Sequence, residues 1–163
     1  KYQFDFVVHL AGNGKMNPGQ IGKFINLIIQ ENYDFISGSR FLEGSSRKNN
    51  PLVRLILIKS FSFFLNLILE KKISDTTCGF RAFRVEIFQN FKKNFFKKEL
   101  YTYGYEYFSY GKIVQSKKIK FCEVAVSMDY PKQKKDYSKI RPIFDWYIIL
   151  KYWIKGLIDK NEL

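Results

Sequence analysis

Cysteine and histidine are nearly missing from this 163-residue chain, which has two of the one and a single copy of the other. Cys78 and Cys122 are too few and too isolated for a disulfide scaffold or a zinc site, and they fit a reducing compartment. With His9 alone, a histidine-based metal cluster is excluded. Acidic residues are scarce as well, 15 against 28 Lys and Arg, which leaves a formal charge of +13. An excess of that size favours phosphates, nucleic acid or an anionic membrane face. Ile, Phe, Tyr, Lys and Asn are abundant together, so part of the lysine is equally read as a solvated surface without a partner. Long apolar runs are absent too. The strongest, Leu52 to Glu70, is broken by Arg54, Lys59, Ser60, Ser62 and Asn66, which argues for a buried or membrane-surface helix over a membrane span. No signal-peptide pattern is visible, and the chain opens on Lys1 instead of Met, so its start is not expected to be the native one.

The hydrophobic fraction, 46%, is ordinary for a globular protein and enough for one domain with a core. Lys1 to Val8 reads as a strand that runs into a Gly-containing loop at Ala11 to Asn17. Asn17 as N-cap, Pro18 in the first turn and Gln20 at capping-box spacing open a helix that buries Ile21, Phe24, Ile25 and Ile28. A second strand, Tyr33 to Ser37, ends at Gly38-Ser39-Arg40. Strand, helix, strand is the unit of an α/β fold, whose ligands gather at the carboxyl ends of the strands. Further along, the patterning predicts the helix from Leu52 with a narrow polar stripe of Lys59, Ser62 and Asn66. A strand over Gly79 to Arg84 and a short helix over Val85 to Phe91 follow, then a helix over Tyr105 to Lys117 and a strand over Ile119 to Met128. The final helix, starting near Pro142, carries Ile143, Trp146, Ile149, Leu150, Trp153, Ile154 and Leu157 on one broad face. Its Trp146, Tyr147, Tyr152 and Trp153 beside Lys151 and Lys155 suit a lipid interface, and residues 141–160 are expected to lie on one.

Three segments carry a resemblance in their order and spacing. They are Asp5-Phe6-Val7-Val8-His9-Leu10 through Asn17-Pro18; Tyr33-Asp34-Phe35-Ile36-Ser37-Gly38-Ser39-Arg40-Phe41; and Ile73-Ser74-Asp75-Thr76-Thr77-Cys78-Gly79-Phe80-Arg81-Ala82-Phe83. Lys120-Phe121-Cys122-Glu123-Val124-Ala125-Val126 with Tyr137-Ser138-Lys139 is a weaker fourth. Together they resemble the family two inverting glycosyltransferases of the GT-A fold, in the branch of dolichyl-phosphate mannosyltransferases and undecaprenyl-phosphate sugar transferases. The resemblance implies the C-terminal portion of a Rossmann-like α/β domain, a mixed sheet flanked by helices, with a C-terminal amphipathic helix. Residues 1–163 would then be one partial domain whose N-terminal nucleotide-binding half is separate or cut away.

The same resemblance implies a nucleotide-sugar donor, a polyprenyl-phosphate acceptor and a site at the cytoplasmic face of a membrane, without nucleic acid. It assigns Asp75 and Arg81 to catalysis, and Asn13, Lys15, Ser39, Arg40, Lys139 and Arg141 to the substrate and its diphosphate. Arginines suit such contacts because their forked donors match phosphate oxygens in pairs. Mg²⁺ or Mn²⁺ is usual in the family, held by an Asp-x-Asp, but Ala11, Gly12 and Asn13 occupy that position here. Lys15 then stands where an ammonium can neutralise a departing diphosphate without a metal. Other readings stay open: structural ion pairs for Arg40 and Arg81, a turn residue for Asp75, solvated lysines, a non-catalytic membrane scaffold, or a basic nucleic-acid-binding module.

Overall fold

The structure, a computed structural model, describes residues 3–89, 103–131 and 144–159. Its elements run β1 (Phe6–His9), a 3-10 turn (Pro18–Gln20), α1 (Ile21–Ile29), β2 (Phe35–Ser39), α2 (Leu52–Ile68), β3 (Arg81–Arg84), α3 (Val85–Gln89), α4 (Tyr103–Gln115), β4 (Phe121–Ala125) and α5 (Phe144–Ile158). The strands form one sheet in the order β1-β3-β2-β4. β3 is antiparallel to both its neighbours, whereas β2 and β4 are parallel. The expected α/β architecture, a mixed sheet flanked by helices, is therefore the observed one.

Alternation along the strands divides the core in two. On one face Ile36, Ala82 and Val126 meet Phe24 and Ile28 of α1, and Phe24 stacks on Phe80 with ring centroids 4.2 Å apart. On the other, Phe35 stacks against Phe83, Tyr110 and Phe121, roofed by α4, α5 and the inner edge of α2. α4 and α5 touch backbone to backbone where glycines meet: a Cβ built on Gly156 would stand 2.3 Å from the Phe108 carbonyl oxygen. Trp153 is fully buried there and its indole N–H donates to the Thr76 carbonyl at 3.3 Å.

Several boundaries shift by one or two residues, as frayed ends do. Asn17 does cap the first turn, its Oδ1 accepting from the Gly19 N–H at 2.9 Å. Gln20 does not complete a capping box. Its amide reaches across to residue 127 instead, with the Ser127 N–H donating to Gln20 Oε1 at 2.8 Å.

In α2 the expected polar stripe divides: Ser62 and Asn66 point inward, whereas Lys59 is exposed. Asn66 bonds both backbone groups of Ile73 at 2.9 Å, and Ser62 Oγ donates to the Ser74 carbonyl at 3.3 Å. The apolar residues are the ones left outside: Leu52, Val53, Ile56, Phe63, Phe64 and Leu67 are each more than 60% exposed. Among the described residues no helix is long and apolar enough to cross a membrane.

Candidate functional site at the carboxyl end of the sheet

One rung of the sheet crosses all four strands through polar residues: His9, Arg81, Ser37 and Glu123 face one another in register. From this rung towards the carboxyl ends of the parallel strands, buried polar groups replace the aromatic core. At its centre lies an ion pair with both side chains fully buried, Arg40 and Asp75. Arg40 donates to Asp75 through Nε at 2.6 Å, Nη2 at 2.7 Å and its backbone N–H at 3.1 Å, and Nη2 also reaches Thr77 Oγ1 at 2.7 Å. Burial alone would push the Asp75 carboxyl up, but the guanidinium outweighs it and the carboxyl is held below its ordinary value. The guanidinium is correspondingly raised despite its burial.

Glu123 anchors the loop that carries Asp75. Its Oε2 accepts from the Ser74 N–H at 2.8 Å and the Ser74 hydroxyl at 2.5 Å, and its Oε1 accepts from the Asp75 N–H at 3.0 Å. Burial raises the Glu123 carboxyl, partly offset by these bonds. Ser39 joins through a 2.6 Å contact between its hydroxyl and that of Ser74. Cys78 sits below the ion pair, its thiol pushed up to about 12 by burial and the Asp75 charge; Cys122 is pushed up to about 12 as well, so neither thiol is poised as a nucleophile.

Three loops close the mouth of the site. Residues 126–130 extend β4 through short bridges, Met16 to Met128 and Ser46 to Ser127. The Asp129 N–H donates to the Lys15 carbonyl at 2.8 Å, and its carboxylate accepts from Ser46 Oγ at 2.7 Å and the Lys48 N–H at 2.8 Å. Lys15 Nζ lies 4.5 Å from the centre of the Tyr130 ring, with the Arg54 guanidinium 5.9 Å from the same ring. Arg47 donates to the Arg40 carbonyl at 2.8 Å and stands 5.4 Å from the Phe41 ring. The rim of the mouth is therefore cationic, and an open groove lined by residues 41–48 runs along it.

The structure thus brings Ser39, Arg40 and Asp75 into one network but turns their polar atoms on each other; Arg40 Nη1 is buried without a partner. Arg81 lies apart on the α4 side, 4% exposed, paired with Glu106 at 3.2 Å and lying over the Tyr110 ring at 4.3 Å. Its Nε and Nη2 are buried without partners. Asn13 and Lys15 share the rim loop; Lys139 and Arg141 lie outside the described residues. Glu123, Thr77 and Asp129 escaped sequence reasoning as site residues. For Glu123 a signal existed, a carboxylate in an otherwise apolar, alternating strand.

The loop does not fit a divalent cation. Asn13 Oδ1 accepts from the Lys15 N–H at 3.2 Å, Ala11 offers no ligand atom, and both oxygens of Asp75 are engaged by Arg40. Among the described residues no group of three or more His, Cys, Asp or Glu could hold a metal.

No family model matches the chain. It is similar to a polyprenol monophosphomannose synthase of Mycolicibacterium smegmatis, 27% identical over 53% of this chain and 32% of that protein. A UDP-N-acetylglucosamine–dolichyl-phosphate N-acetylglucosaminyltransferase of Methanococcus voltae is 30% identical over 48% of the chain and 32% of its own length. An undecaprenyl-phosphate mannosyltransferase of Micrococcus luteus is 25% identical over 51% of the chain and 33% of its own. The similarity therefore spans about a third of the length of each relative. With a mixed α/β sheet, the chain is thus similar over about half its length to polyprenyl-phosphate sugar transferases.

Proposed function

We propose that this chain is the acceptor-side portion of an inverting transferase that moves a sugar from a nucleoside-diphosphate donor to a polyprenyl phosphate, working peripherally at the cytoplasmic face of a membrane. The observation that carries the reading is the cationic mouth at the carboxyl edge of the sheet, where Lys15 and Arg54 lie over Tyr130 and the adjoining loop brings Arg47 to the Arg40 carbonyl and the Lys48 backbone to Asp129. The names of the three relatives supply the chemistry that such a mouth would serve.

In this reading an acceptor phosphate oxygen attacks the anomeric carbon from the face opposite the departing nucleoside diphosphate. The new bond joins that carbon to the phosphate oxygen, and the bond to the nucleoside diphosphate breaks with its electron pair leaving on the diphosphate. A phosphate is already ionised near neutral pH, so the step needs no strong general base. Charge gathering on the leaving group needs a cation, and Lys15 takes that role where the loop lacks carboxylates. Arg40 and Asp75 hold the floor: their pairing fixes the end of β2 from which the loop at 41–48 departs. Arg81 and Ser39 brace the site from within the sheet, Arg81 against Glu106 and Ser39 against Ser74, and Lys139 and Arg141 are assigned to the acceptor phosphate.

A second reading, a non-catalytic scaffold for a separate transferase, draws on the same missing carboxylates at Ala11 and Asn13. Assay of the full-length protein with labelled nucleotide sugars and polyprenyl phosphate, with and without EDTA, separates them. Turnover that survives EDTA is expected. Turnover abolished by EDTA and restored by Mn²⁺ would remove the role given to Lys15, and no transfer from any donor would favour the scaffold.

A further inference from the structure

One short segment holds Lys15 by both its main chain and its side chain. The Lys15 carbonyl accepts from the Asp129 N–H at 2.8 Å, and the ammonium stands 4.5 Å from the centre of the Tyr130 ring. The ring is itself seated. Tyr130 donates its N–H to the Lys48 carbonyl at 2.9 Å, accepts from Asn49 Nδ2 at 3.1 Å, and is 4% exposed. Val126, Met128 and Tyr130 join the core around Phe24, and Met16, the neighbour of Lys15, bridges to Met128. We propose that Tyr130 is a positioning residue, whose ring fixes the Lys15 ammonium at the mouth where charge gathers on a departing diphosphate. The proposal rests on the role given to Lys15 above and adds what holds that cation in place.

A lysine on a loop samples many rotamers, and confining it has an entropic cost. A cation recruited only at the moment of reaction would lose that cost from its stabilising effect, whereas one already in place would not. An aromatic face confines an ammonium by attraction to the ring quadrupole. A carboxylate would also confine it but would cancel its charge; a ring does not. The Asp129 carboxylate beside the ring engages Ser46 Oγ and the Lys48 N–H through Oδ1, which ties the loop at 41–48 to the same segment. Burial by itself asks only for an apolar group at position 130. The two roles therefore part on substitution: Phe keeps both the core and the ring, and Leu keeps the core alone.

The test uses the 163-residue chain in metal-free buffer. Reductive methylation with isotope-labelled carbon marks the lysines for NMR, and the Lys15 signal is the one missing from K15R. In wild type and Y130F the ring current should shift that signal upfield, and in Y130L it should return to the position of solvated lysines. Inorganic pyrophosphate, standing in for the leaving diphosphate, is then titrated by calorimetry. K15M should bind it about tenfold or more weakly than wild type. Y130L should bind about fivefold more weakly, and Y130F within about twofold of wild type. Y130M, which also fills the core without a ring, replaces Y130L if that variant does not fold. A Lys15 signal unmoved by Y130L, or pyrophosphate binding that K15M weakens and Y130L does not, would overturn the proposal and spare the role of Lys15. Y130F as weak as Y130L would place the effect on the hydroxyl and overturn it too. No binding by wild type, or binding that K15M leaves unchanged, would remove both.

Discussion

Asp75 receives Arg40 three times, from Nε at 2.6 Å, from Nη2 at 2.7 Å and from the backbone N–H at 3.1 Å, in a place where neither side chain touches solvent. Removing one partner strands the other as an unpaired buried charge. We predict that Asp75→Ala lowers unfolding stability by about 3–5 kcal/mol in urea titrations. Arg40→Lys should cost nearly as much, because an ammonium cannot make the two parallel bonds. A loss below about 1 kcal/mol, the range of a surface pair, would show that the two groups are not held together in solution.

The two buried carboxyls predict opposite pH effects. Asp75 titrates lower in the folded chain than in the unfolded one, so its stabilisation is complete above the ordinary aspartate value of about 4 and is lost as pH falls through its folded value. Glu123 titrates higher when folded, so the folded state holds its proton longer. Its contribution grows as pH falls from neutral through the folded value towards the ordinary glutamate range. Urea midpoints measured against pH should therefore show a rise on the mildly acid side that Glu123→Gln removes. If E123Q and wild type run parallel there, Glu123 is not raised.

At the crossing of α4 and α5, Gly156 leaves no room for a side chain, since a Cβ would stand 2.3 Å from the Phe108 carbonyl oxygen. Backbone cannot swing away as a long side chain can. Gly156→Ala should force the helices apart and cost about 1–3 kcal/mol, read as a lowered melting temperature. A neutral or stabilising alanine, as ordinary helix propensity would give, would contradict this packing.

The rim loop makes the metal question testable by addition. Ala11→Asp together with Asn13→Asp restores an Asp-x-Asp, and hard oxygen ligands should then take up Mn²⁺ with a saturable heat in calorimetry. The native chain should show none. Saturable Mn²⁺ binding by the native chain would place a cation where the loop gives it no ligands.

How far the sequence could be read depended on whether a residue's partner lay nearby in the chain. Asn17 was legible as a cap because its partner, the Gly19 N–H, is two residues away. The alternating strands and the α/β order were legible for the same reason, since period and turn chemistry are local. Gln20 misled because its partner is residue 127. Ser62 and Asn66 were legible as polar positions on an apolar helix, but only the fold shows which way they face, because the backbone groups they meet belong to residues 73 and 74. From its place at a strand end Arg40 read as a ligand contact or a structural ion pair, and its partner, Asp75, lies on a loop 35 residues on. The place of Glu123 beneath that loop follows only from the parallel pairing of β2 with β4.

Ser62 and Asn66 fasten α2 to main-chain atoms at residues 73 and 74. Main chain is the one part of a protein that substitution leaves in place, so the seat of the helix survives drift in the side chains around it. Its outer face is thereby released from any duty to the fold. Selection can rewrite that face one residue at a time while the sheet and its carboxyl-edge site keep their shape.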